Sequence, residues 1–208
     1  RLVYAKDYGV PQNRPRILII GIKKALLKNK NTFSDALEGG FLPQPTNDYP
    51  NIDEVLSDLV DSTFKNGSST DTYLSDPKTN WQKLIRSNQF TGESLKKGDV
   101  LNEHKYSNHS EIVRKRFEYM IKNNGSIPDS LKTKKFAQRV LPAKWNDKGP
   151  NITACSLADD FVHFSQPRSL TVREWARLQT FPDWYLFAGK RTTGGIRRAG
   201  NPRESIFD

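Results

Sequence analysis

Hydrophobic positions predict few regular elements along this chain. A continuous apolar run over residues 16–22 (RILIIGI), rich in β-branched side chains, predicts a strand buried on both faces, as in a parallel sheet under helices. Pro11 disfavours helical geometry at Val10, so residues 8–11 before that run read as an extended loop. Beyond a polar connection punctuated by Pro43, Pro45 and Pro50, apolar residues recur at helical spacing. Ile52, Val55, Leu56, Leu59 and Val60 predict a short amphipathic helix starting near Asn51. From about residue 62 to residue 105 the chain is polar and no period persists. Ile112, Val113, Phe117, Met120 and Ile121 form one face of a helix predicted over 110–121. Asn108 is the expected cap, Glu111 its partner three residues on, and Arg114, Lys115 and Lys122 the outward face. Residues 151–156 and 161–164 read as two strands around a turn at 157–160. The strongest helix signal follows: Thr171 caps, Glu174 reaches back from the third position, and Val172, Trp175, Ala176 and Gln179 share a face. Phe181-Pro182-Asp183 ends that helix, and the glycine-rich, basic stretch 191–202 reads as loop.

Composition bounds what these elements can build. With 208 residues, 35% of them hydrophobic, the chain suits one domain, or one large and one small, with a lean core and many loops. Lys plus Arg is 33 against 23 acidic residues, a net charge of +10. That surplus favours an anionic partner such as nucleic acid, since each neutralised phosphate releases a counterion; a well-solvated basic surface is the alternative. The basic stretch Lys132, Lys134, Lys135, Arg139, Lys144 and Lys148, with Phe136 and Trp145 among them, divides between the same two readings. A lone Cys155 excludes a disulfide framework and points to a reducing compartment; its apolar strand context reads as a buried thiol. His104, His109 and His163 are too dispersed for a metal site, and Gly194-Gly195 lacks the Lys-Ser/Thr of a phosphate loop, so no metal is expected. No apolar run reaches bilayer-spanning length and no leader pattern opens the chain, so no membrane is expected. Both ends read as internal to a longer protein.

Two segments stand above composition. In residues 8–16 (YGVPQNRPR), Arg14 and Arg16 lie two apart in an extended segment and point the same way, with Gln12 joining them. At the end of a strand such guanidiniums could clamp a phosphate or donate to a carbonyl oxygen; an ordinary charged loop is the other reading. Residues 167–183 (PRSLTVREWARLQTFPD) form a capped amphipathic helix with arginines at its N-terminal end, which read equally as surface charges on a scaffold helix.

Together these two segments resemble the DNA (cytosine-5-)-methyltransferase family, in which Gln12-Asn13-Arg14-Pro15-Arg16 matches the eighth conserved block and residues 168–183 the ninth. A variable target-recognition region lies between those blocks in that family, where this chain is polar and unpatterned; Asn108-His109 and Pro150-Asn151-Ile152-Thr153 are smaller echoes. The resemblance implies an α/β fold: the C-terminal part of a Rossmann-like S-adenosylmethionine-dependent core carrying an inserted, irregular α+β recognition domain. The implied division is the end of the core over 1–61, recognition over 62–166, and the ninth block with the return to the core over 167–208. The implied activity is methyl transfer to C5 of a cytosine flipped out of double-stranded DNA, attacked at C6 by a cysteine thiolate. Arg16 then hydrogen-bonds the cytosine O2, Arg14 positions the loop or a phosphate, and Arg168 and Arg173 organise the recognition region with phosphate contact possible. Gln12, Arg14, Arg168 and Arg173 are thus the expected DNA-binding residues. No glycine-rich cofactor loop, Pro-Cys loop or Glu-Asn-Val segment occurs here, and Cys155 has no preceding Pro. S-adenosylmethionine and the nucleophile are therefore expected from an N-terminal catalytic half or a companion subunit. Gly200-Asn201 lacks the Val-Pro of the tenth block and reads as loop. A cytoplasmic, nucleoid-associated bacterial restriction–modification role is the usual implication. A non-catalytic DNA-binding module or the recognition subunit of a split enzyme is the alternative.

Overall fold

The computed structural model describes residues 2–23, 43–46, 48–132, 138–145, 149–151 and 161–188. Strands β1 (Leu2–Tyr4) and β2 (Pro15–Ile17) form an antiparallel ladder with Val3 opposite Arg16. A 3-10 turn, Ala5–Tyr8, connects toward β2 and ends at Gly9, whose φ of 77 is the left-handed region that glycine enters without a Cβ penalty. Helix α1 (Ile52–Leu56) starts where the periodicity placed it, and the Glu54 carboxylate accepts the Asn51 amide at 3.3 Å. A 3-10 turn, Ser57–Leu59, extends it.

Helix α2 (Asn80–Arg86) lies in the stretch that showed no period. Its signal was local: Thr79 accepts the Gln82 amide at 3.1 Å, and the Gln82 side chain reaches back, a capping box in polar surroundings. Thr79 and Gln82 also both donate to the Glu54 carbonyl, at 3.0 and 2.7 Å, which docks α2 on α1.

Helix α3 (Glu111–Lys122) is where it was predicted, but Ser110 occupies the cap and the Asn108 carboxamide oxygen instead accepts from Asn66 at 2.7 Å. Ile112 is 65% exposed. At 100° per residue it lies 140° around the helix from buried Phe117, so it cannot share that face. Strands β3 (Arg139–Val140) and β4 (Phe161–Val162) pair in parallel. The predicted turn at 157–160, most of the strand before it and Cys155 lie outside the described residues, as does the stretch 191–202 with Gly194, Gly195, Gly200 and Asn201.

Helix α4 (Val172–Leu178) carries the predicted capping box: Thr171 accepts the Glu174 amide at 3.2 Å, and Glu174 accepts the Thr171 amide at 2.8 Å. Because the Thr171 hydroxyl also meets His104 Nδ1 at 2.9 Å in the interior, Thr171→Ala is expected to cost about 1–2 kcal/mol. A urea titration against the unaltered protein checks this.

One principal hydrophobic cluster holds these elements. Ile52, Val55, Leu56 and Leu59 pack with Tyr73, Leu101, Leu141 and Phe161 and with Leu170 and Leu178. It draws on residues from all three segments expected from the resemblance. A smaller cluster joins Phe117 and Met120 to Val162.

The run 16–22 departs from expectation. Of the run only Arg16 and Ile17 pair, antiparallel to β1, and Ile17 and Ile19 are 73% and 92% exposed. Among the described residues β2 has β1 as its sole strand partner, and no layer covers this ladder. The apolar pattern marks a surface suited to burial, but burial needs a second layer.

Candidate functional site

The loop before β2 is held at several points. The Gln12 amide donates to the Val10 carbonyl at 2.7 Å, the Asn13 amide to the Pro150 carbonyl at 2.7 Å, and the Ala5 amide to the Arg14 carbonyl at 3.1 Å. Gln12 is 2% exposed, and its Nε2 donates to the Leu178 carbonyl at 3.4 Å and to Gln179 Oε1 at 3.1 Å. The side chains of Gln12 and Arg16 therefore part company: Gln12 turns inward and pins this loop to the end of α4. Arg16 is exposed and folds one donor onto its own Pro15 carbonyl at 2.7 Å, while Arg14 is half-buried.

The arginines around α4, expected to organise the recognition region with phosphate contact possible, are buried. Arg168 is 1% exposed and grips Glu174 with two hydrogen bonds, at 2.8 and 2.6 Å; its Nε donates to Gln166 at 3.0 Å. Arg173 is 0% exposed and donates to the carbonyls of Asn102 at 3.1 Å, Pro182 at 3.3 Å and Tyr185 at 3.0 Å. Guanidiniums so engaged have no surface from which to reach a phosphate in this conformation.

Arg177, which the sequence reading did not single out, is the hub of a charged knot. It donates to Asp58 at 2.5 and 3.0 Å, to Asp183 at 3.0 and 2.6 Å, and to the Val55 carbonyl at 2.7 Å. Arg86 of α2 also bonds Asp58 and stacks 3.8 Å over the Tyr73 ring, whose hydroxyl donates to Asp183 at 2.7 Å. Burial by itself would raise the Asp58 carboxyl, but Arg177 and Arg86 outweigh it and hold that group below its ordinary range. Glu174 behaves alike: burial opposes its charge, and Arg168 overcomes this and keeps the carboxylate ionised.

Two neutral histidines complete the interior. His163 Nδ1 accepts the amides of Ser165 and Gln166, each at 3.1 Å, which leaves the proton on Nε2, 3.5 Å from Glu174. Burial pushes its pKa down to about 3. His104 Nε2 faces the Leu59 carbonyl at 3.0 Å and therefore carries the hydrogen.

An apolar groove of about 390 Å³ opens where Tyr8–Val10 meet Trp81, Leu84, Pro182 and Trp184. Its polar lining includes Ser87, Gln89 and Thr180, with no carboxylate among the lining residues. Among the described residues, no group of His, Cys, Asp or Glu is arranged for a metal ion, and no helix is long and apolar enough to cross a membrane.

Residues 1–202 match a protein family described as C-5 cytosine-specific DNA methylase. Type II methyltransferase M.DdeI of Desulfomicrobium norvegicum is 28% identical over 210 residues, a match covering 92% of this chain and 46% of that protein. Type II methyltransferase M.Bpa9945I of Bacillus paralicheniformis is 30% identical over 208 residues, covering 89% of this chain and 43% of its own length. Among solved structures, a DNA modification methyltransferase encoded within an E. coli prophage superposes with a TM-score of 0.56 at 26% identity, covering 90% of this chain and 50% of that one. The chain thus spans about half the length of the curated relatives it matches.

Proposed function

Since the chain belongs to the C-5 cytosine-specific DNA methylase family, we propose that it is the DNA-facing part of an enzyme that methylates C5 of cytosine in a specific duplex sequence. S-adenosylmethionine supplies the methyl group, and a half not contained in these residues holds both it and the nucleophilic cysteine. The observation that carries the reading is the contrast within one loop: Gln12 is locked inward while Arg16 stands exposed on a strand. A positioned guanidinium at that place can donate to the O2 of an extruded cytosine. As a thiolate adds to C6, negative charge spreads onto N3 and O2, and a charge-assisted hydrogen bond there lowers the barrier.

The other arginines divide by exposure. Arg14 positions the loop or meets a phosphate. Arg168 and Arg173, together with Gln12, act through the fold: Arg168 bonds Gln166 and Arg173 the Asn102 carbonyl of the recognition stretch 62–166, while Gln12 ties its own loop to the end of α4. The uncovered apolar run 17–22 suits a strand of a Rossmann-like core whose neighbours come from an N-terminal catalytic half, in the same polypeptide or in a companion subunit. The setting that follows is the bacterial cytoplasm, at the nucleoid, in restriction–modification.

The test is Arg16→Ala in the full enzyme, with methyl transfer and duplex binding measured side by side. Methyl transfer is expected to fall by on the order of a hundredfold while binding of unmethylated duplex changes little. Transfer at the unaltered rate would remove Arg16 from the chemistry. An unaltered enzyme that methylates no cytosine would overturn the activity itself.

A further inference from the structure

Most arginines of the interior spend their donors on the protein; Arg139 does not. It is exposed on β3, with its guanidinium 4.8 Å over the ring of Phe161. That ring is itself fixed, being 2% exposed and set against Trp175 at a centroid distance of 5.9 Å. Among the described residues, no carboxylate lies within ion-pair distance of Arg139 and no acceptor takes a hydrogen bond from its side chain. An arginine steadied through its π-face keeps its planar fork of N–H donors free. It also loses less side-chain freedom when that fork is used.

The segment that follows Arg139 is tied into the frame of the Arg16 loop. The Pro150 carbonyl accepts the Asn13 amide at 2.7 Å, the Ala143 carbonyl accepts the Asp53 amide at 3.0 Å, and the Trp145 amide donates to Asn51 Oδ1 at 2.8 Å. At its other side, Leu141 donates to the Val162 carbonyl at 2.9 Å. The overall charge of +10 favours an anionic partner. Lys132 and Lys144 differ from Arg139, because Asp129 already pairs with the first at 2.7 Å and Asp53 with the second at 2.8 Å.

We propose that Arg139 is a specificity-determining residue that reads a guanine edge in the DNA major groove. The inference rests on the DNA-methylating function proposed above. A fork held in one plane favours the paired N7 and O6 acceptors of guanine, whereas a phosphate can be met by any flexible cation.

The experiment uses the full enzyme, its methylated sequence mapped by bisulfite sequencing. Binding is then measured for duplexes carrying that site and for duplexes altered at each of its positions, across a range of salt concentrations. Arg139→Ala is expected to lose discrimination at one guanine position by on the order of tenfold, leaving discrimination at the others intact. Arg139→Lys keeps the charge but not the fork; it is expected to show the same loss, with the melting temperature and salt dependence of the unaltered enzyme. Weakening that is uniform across all sequences, with a salt slope lower by about one, would show a phosphate contact and overturn the proposal. Unchanged discrimination in both variants would overturn it as well. An unaltered enzyme with no sequence preference would sink the functional reading along with it, so the two failures are distinguishable.

Discussion

Arg177→Met is expected to lower the stability of the fold by about 3–5 kcal/mol, because it leaves two buried carboxylates short of their shared cation. Arg177, Asp58 and Asp183 are all nearly or wholly inaccessible, at 0%, 3% and 2% exposed. After the substitution Asp58 keeps Arg86, but Asp183 keeps only the Tyr73 hydroxyl and Arg173, whose nearest nitrogen is 3.8 Å away. A methionine of similar length fills the volume, so the loss reads charge and hydrogen bonding rather than a cavity. Arg177→Lys should fall between the two, since one ammonium cannot serve two carboxylates and the Val55 carbonyl with the same geometry. Urea titrations followed by tryptophan fluorescence give the midpoints. A loss below about 1 kcal/mol for Arg177→Met would mean that the knot does not carry the fold. The consequence reaches beyond stability: Asp58 ends the α1 region, Arg86 belongs to α2, and Arg177 and Asp183 flank the end of α4. Loosening the knot would let α2 shift against α1 and α4.

Acid is expected to weaken the protein from about pH 6.5 downward, well before ordinary carboxylates titrate. The cause is His163, whose folded-state pKa is pushed down to about 3 by burial. In the unfolded chain that imidazole takes a proton near pH 6.5, while the folded chain excludes it until about 3. Within that window the unfolded state binds more protons, so stability falls with pH, by about 1.4 kcal/mol per unit for one such group. His104 is shifted in the same direction, chiefly by burial, and adds to the slope. The carboxyls of Asp58 and Glu174 titrate oppositely in origin but act with the same sign. Their folded pKa values lie below the ordinary range, so their contribution is complete at neutral pH and drains away as acid protonates them in the unfolded chain first. The discriminating variant is His163→Asn, whose carboxamide oxygen can still accept the Ser165 and Gln166 amides but cannot titrate. Its stability should fall less between pH 7.5 and pH 5 than that of the unaltered protein. An unchanged difference would show that His163 is not the group responsible.

Local signals carried the helices. The α1 helix follows apolar residues at helical spacing, and Thr171 with Glu174 is a capping pair closed within four residues, so α1 and α4 were legible in advance. Thr79 with Gln82 is the same device, and α2 was missed because it lies in a polar stretch with no long period to support it. The family was legible for a related reason: two short blocks, each contiguous, carry the resemblance.

What the arginines do was decided by tertiary structure. By itself the sequence determined a basic, lean-cored chain, the helices near 52 and 172, and membership of a methylating family; it showed guanidiniums but not their acceptors. Asp58 lies 119 residues before Arg177, and the Leu178 carbonyl that receives Gln12 lies 166 residues along the chain. A contact closed over such distances leaves no spacing to read, so burial of Arg168 and Arg173 and exposure of Arg16 and Arg139 emerge only when the chain is folded. The apolar run 17–22 shows the same limit from the other side: its pattern states a preference for an interior, and only a packed second layer can satisfy it.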